Sequence, residues 1–121
     1  MQQVHMGRFD FTRYTYLGHR RLFRKFIEIE SGVSAGTGVA LAWSLKYFFR
    51  SLFNNKVIII FFEITIRILF FWLKYIDYLT VNNNGTFDAS SSYYFIGKKQ
   101  ENYTLSDNEL LNQYKGVSKY N

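Results

Sequence analysis

KVIIIFFEITIRILFFWLKYIDYLTV, residues 56–81, poses the first question about this chain. Over residues 57–73 only Glu63, Thr65 and Arg67 interrupt the apolar character. A bilayer, a partner or the rest of the chain must take that surface out of water. The apolar residues together favour bilayer insertion by about 4 to 8 kcal/mol, and Glu63 and Arg67 at mid-segment each oppose it by about 2.5 to 3.5 kcal/mol. The terms nearly cancel. The acid precedes the base by four residues, so on a helix the two can pair and mark one polar seam. A long helix packed as a lid is the first reading, and a membrane-associated or spanning helix over 57–79 is the second.

Working outward, VALAWSLKYFFRSLF (39–53) is a second amphipathic helix, with Leu41, Leu45, Phe48, Phe49 and Leu52 on one face and Lys46 and Arg50 opposite. Asn54-Asn55 joins the two as a helical hairpin. Before it, FIEIE (26–30) alternates apolar and polar residues and predicts a strand, with Glu28 and Glu30 on its solvent side. Gly32, Gly36 and Gly38 predict a flexible loop after that strand. The loop matches neither the dinucleotide fingerprint nor the P-loop. After the hairpin, VNNNGTFD (81–88) predicts a turn. SYYFI (92–96) is apolar on both faces, as a buried central strand would be. Ser106 and Glu109 form a capping box that opens a short helix in the polar tail. Nearer the start, residues 13–25 carry apolar residues at helical spacing behind Thr12 as cap, and residues 1–12 read as a loop.

The 121 residues suit one small domain, and 48% apolar content fits a globular chain. There is no Cys, which excludes disulfides and thiolate metal sites and fits a reducing compartment. Polar residues interrupt any signal-peptide core near Met1, so a cytoplasmic location is expected, with membrane association as the alternative. Much of the net charge of +6 lies in residues 1–25, where Arg8, Arg13, Arg20, Arg21, Arg24 and Lys25 face Asp10 alone. Such a cluster attracts phosphate, anionic lipid or an acidic substrate. His5 and His19 are candidate bases, and Asp10, Arg13 and Arg20 are candidate substrate-binding groups. No His or acid stands at metal-ligand spacing, so no metal is expected.

QQVHMGRFDFTRYTYLGHRRLF followed by FIEIESGVSAGTGVALAW resembles the C-terminal part of class I S-adenosylmethionine-dependent methyltransferases of bacteria, as do FFWLKYIDYL, FDASSSYYFIGKK and LSDNELLNQYKG. The five blocks stand in the right order and cover almost the whole chain. The resemblance implies an α/β fold, helix-rich as it stands: a partial Rossmann-like methyltransferase fold of helix, strand, inserted helical hairpin and final antiparallel strand. Residues 1–37 would be the end of the core, with its fifth strand over 26–31. Residues 38–81 would be the hairpin over the acceptor side, with Trp72, Leu73, Tyr75 and Tyr78 facing its neighbours. Residues 82–99 would hold the last strand, paired beside the fifth, and 100–121 a polar tail. The cofactor implied is S-adenosylmethionine, yet the glycine-rich strand–turn–helix that binds it in the family has no counterpart in these residues. The chain is then expected to be the acceptor-side portion of a longer enzyme, inactive alone, with an unknown acceptor and a tendency to self-associate through uncovered apolar surface. No nucleic-acid partner follows from this reading. A basic, aromatic RNA-binding module is the remaining alternative.

Overall fold

Phe26–Ala35 (β1) and Ser92–Lys99 (β2) form a two-stranded antiparallel sheet in the computed structural model, which describes residues 7–117. Val33 stands opposite Tyr93, Ser31 opposite Phe95 and Phe26 opposite Lys99. A bulge between Glu28 and Glu30 changes which side chains face which way. Glu28 and Ser31 share the inner face, joined by a 2.7 Å hydrogen bond from the Ser31 hydroxyl. Ile29 is left 69% exposed outside.

Six helices accompany this sheet among the described residues, so that part is α/β and helix-rich. Tyr16–Leu22 (α1) is shorter than the 13–25 expected, because Thr15 rather than Thr12 caps it, its hydroxyl accepting from Gly18 N–H. The residues predicted as a flexible glycine loop are ordered as strand and helix. β1 runs on to Ala35, and Thr37–Leu52 (α2) starts two residues later. The glycines are needed for close approach. A Cβ on Gly32 would meet the Tyr94 ring at 2.9 Å, and one on Gly36 would meet the Asp77 carboxyl at 2.6 Å.

The 56–81 stretch is two helices, Lys56–Phe70 (α3) and Leu73–Thr80 (α4), rather than one. At the break the Trp72 indole N–H donates to the Leu69 carbonyl at 2.7 Å. In a continuous helix that carbonyl would accept from the backbone of Leu73. Among the described residues no helix is long and apolar enough to cross a membrane. The predicted turn at 81–88 is largely helical, as Asn84–Ala89 (α5), with the Thr86 hydroxyl donating to the Thr80 carbonyl at 2.7 Å. Asp107–Asn112 (α6) begins with the predicted capping box, Ser106 and Glu109 satisfying each other's backbone.

The core is small. Tyr16, Val33 and Phe87 are its buried centre, with Tyr16 meeting the rings of Phe87 at 5.1 Å and Tyr93 at 5.7 Å edge to face. Beyond it, Phe23 stacks on Phe95 at 5.0 Å. β2 is an edge strand, not a buried central one, and Ile96 is half exposed on the outer face. The hairpin pairs through Phe62, which stacks on Phe49 at 4.8 Å and Phe53 at 5.3 Å. Glu63 turns to α2, meeting Lys46 at 3.7 Å and Arg50 at 3.4 Å, instead of pairing with Arg67 on its own helix. Lys46 and Arg50 therefore reach toward α3, and Leu41, Phe48 and Leu52 point outward.

Candidate functional site

At the carboxyl end of β1, where the chain turns into α2, an open cleft of 740 Å³ lies between α1, the first half of α2 and the α5–β2 junction. Its walls are apolar and aromatic, from Tyr16, Leu17, Leu41, Phe87 and Tyr93. An apolar cleft with a few convergent polar groups is the ordinary form of a small-molecule site.

The polar groups of the cleft come from three segments. Arg13 reaches it from just before α1 and is paired with Asp10. Thr37 and Ser44 enter from α2, with the Ser44 hydroxyl donating back to the Ala40 carbonyl at 2.8 Å. Asp88 enters from α5 and is the carboxylate of the lining. It accepts from the Tyr114 hydroxyl and, at 2.8 Å, from the Val117 backbone N–H. Tyr93 donates its hydroxyl to the Phe87 carbonyl at 2.8 Å. Burial pushes the Tyr93 phenol above its ordinary pKa, with the charge of Asp88 and the phenol of Tyr114 adding to the effect. Tyr93 is thus held protonated, as a donor.

The expected site residues are dispersed. Asp10 and Arg13 are brought together at the cleft mouth. Arg20 is not a ligand-facing group: four residues after Tyr16, it shares the buried face of α1 and is 1% exposed. Its guanidinium donates to Glu28 at 2.8 Å and to the carbonyls of Phe23 at 3.0 Å and Phe26 at 3.3 Å, and lies 4.7 Å over the Phe95 ring. Glu28 is thereby an internal counter-ion, not a solvent-side residue. His19 is also away from the cleft, packed edge to face on Phe23 at 5.1 Å, and burial lowers its pKa. His5 lies outside the described residues.

Asp88, Tyr93 and Tyr114 are the groups that sequence reasoning missed. Asp88 stood in a stretch with a turn composition, and its hydrogen-bond partners lie 26 and 29 residues ahead. No local pattern marks such a pairing. Comparison with protein-family models, curated proteins and solved structures returns no match.

Proposed function

We propose that this chain is the acceptor-side portion of an S-adenosylmethionine-dependent methyltransferase, with the cofactor-binding unit lying outside residues 1–121. The observation that carries the reading is the cleft beyond the carboxyl end of β1, with the helical hairpin inserted between two paired antiparallel strands. The resemblance implies that order of elements, and a methyl acceptor would enter on that side.

The residues described do not fit the cofactor itself. The spaces over Gly32, Gly36 and Gly38 are filled by Tyr94, Asp77 and the Leu73 carbonyl, so none cradles a ligand. The amino end of α2, the one long helix start beside the cleft, is already occupied by the Asp77 carboxylate, which accepts from Gly38 N–H at 2.6 Å and Val39 N–H at 3.0 Å. The chain's contribution is therefore limited to the acceptor. Apolar walls hold its body, Arg13 engages an anionic or hydroxylated end, and Asp88 receives the proton lost by a hydroxyl or amine acceptor.

Two measurements test this. Calorimetric titration of the purified chain with S-adenosylmethionine is expected to give no binding heat, and tritiated cofactor is expected to give no labelled product. Robust transfer by residues 1–121 alone overturns the reading. The DNA preceding the Met1 codon is expected to encode, in frame, a strand, a glycine-rich turn and a helix; an unrelated reading frame there would sink it.

A further inference from the structure

The exposed side of α3 carries Val57, Ile60, Phe61, Ile64 and Ile68, at successive three- and four-residue spacings that align them in one stripe. Their exposures run from 51% to 75%. The stripe holds no polar residue, and Trp72 and Tyr75, each about half exposed, continue the apolar surface past its carboxyl end. Both residues have amphipathic rings that favour a membrane interface.

Beside the stripe is a groove of 320 Å³ between α2, α3 and α4, lined on its apolar side by Trp43, Phe70 and Phe71 and on its polar side by Lys46, Glu63, Arg67 and Lys74. Glu63 is committed to Lys46 and Arg50. Among the described residues, Arg67 and Lys74 have no acidic partner. The margin of the stripe is therefore cationic. In the basic cluster of the first quarter, by comparison, four of the cations have acidic partners: Arg13 pairs with Asp10, Arg20 is buried against Glu28, and Arg21 and Arg24 share Asp107 at the surface.

We infer that the α3 stripe docks on an anionic lipid surface, lying in the plane of the interface with Arg67 and Lys74 at the headgroup phosphates. The charge pattern selects this occupant. A helix apolar on one side and rimmed by Lys and Arg is the pattern of interfacial membrane helices, and anionic lipid supplies the missing counter-charge. A second copy pairing stripe to stripe about a two-fold axis would bring the two cationic margins together with no free acid to offset them. Length fixes the orientation. The 15 residues of α3 extend about 22 Å, against a hydrocarbon core of about 30 Å, so the helix lies along the surface instead of crossing it.

Vesicle flotation of the whole chain tests the inference without any cofactor, so its outcome is separate from that of the methyltransferase reading. With vesicles of phosphatidylcholine containing about one-third phosphatidylglycerol the chain is expected to float, and with phosphatidylcholine alone to float far less. The double variant Ile60→Asp/Ile64→Asp is expected to abolish flotation. Arg67→Gln/Lys74→Gln is expected to lower partition into the anionic vesicles about thirtyfold. The four positions lie outside the core, so circular dichroism is expected to show each variant folded as the parent. Failure to float with either vesicle overturns the inference, as does undiminished flotation of the Asp variant. A dimer by light scattering that Ile60→Asp/Ile64→Asp converts to monomer, with no vesicle binding by the parent, overturns it in favour of a second copy.

Discussion

Arg20 is 1% exposed while the Glu28 side chain it holds keeps 25% of its surface. The cost of burying the cation is met by three hydrogen bonds and the Phe95 ring, and the carboxylate keeps some water. Removing only one partner of such a pair leaves the other uncompensated. Arg20→Ala is expected to destabilise the fold by about 3 kcal/mol in urea titration. Arg20→Lys is expected to recover little, because an ammonium cannot span the Glu28 carboxylate and two carbonyls as a guanidinium does. His19 supplies the pH dependence at this scale. Burial lowers its pKa from the ordinary 6.5, so between the lowered value and 6.5 the unfolded chain binds more protons than the folded one. Stability then falls as pH drops below about 6.5. His19→Gln is expected to flatten the melting temperature against pH in that window, and an unchanged slope would show that His19 does not set it.

At the scale of elements, α6 and α2 start by different means. The cap of α6 is local, Ser106 and Glu109 three residues apart, and both its presence and its position are readable from the sequence. The hydroxyl and backbone N–H of Ser106 lower the Glu109 pKa. That contribution is present above the ordinary carboxylate range and is lost as pH falls through the lowered value. Ser106→Ala is expected to move the Glu109 resonance midpoint upward in an NMR titration. The cap of α2 comes from Asp77, 39 residues ahead of Gly38, and no local pattern reveals it. Asp77→Ala is expected to cost about 2 kcal/mol. Gly38→Ala sets two effects against each other. Helix propensity favours Ala by up to about 1 kcal/mol, but the new Cβ would run into the Leu73 carbonyl, a backbone atom with α4 behind it. Overpacking of that kind costs about 1 to 3 kcal/mol. A net loss of stability is expected, read as a lower melting temperature.

Across the whole molecule two regions share one feature, charged side chains paired with one another while apolar residues turn outward. In the hairpin, Lys46, Arg50 and Glu63 meet between α2 and α3, and Phe48 and Leu52 are more than half exposed. In the sheet, Glu28 faces Arg20 while Ile29 and Ile96 face out, beside strand edges that no third strand among the described residues covers. Open edges with apolar faces invite association. Ile29→Lys is expected to change stability by no more than about 0.5 kcal/mol and to lower self-association in sedimentation velocity. If the association is unchanged, this face is not its site.

Periodicity and local chemistry alone determined the two strands, the α2 and α3 helices, the Asn54-Asn55 break and the Ser106 cap, because each depends on residues within one or two turns of each other. The tertiary structure decided the rest. FIEIE reads as a strand with Glu28 and Glu30 facing solvent; Glu30 is exposed, yet the buried Arg20 guanidinium draws Glu28 to the inner face, and past the bulge Ile29 is exposed as well. Residues 56–81 read as one helix, yet the chain breaks between Phe70 and Leu73, where the Trp72 indole bonds the Leu69 carbonyl. Arg67 reads as the partner of Glu63, yet α2 presents two cations to that carboxylate first. Alternation, helix propensity and i, i+4 pairing are near-degenerate preferences of about 1 kcal/mol or less. Arg20 reaches Glu28 from eight residues away, and Arg50 and Lys46 reach Glu63 from 13 and 17 residues away; contacts of that kind outweigh such preferences, and they exist only after the chain has folded.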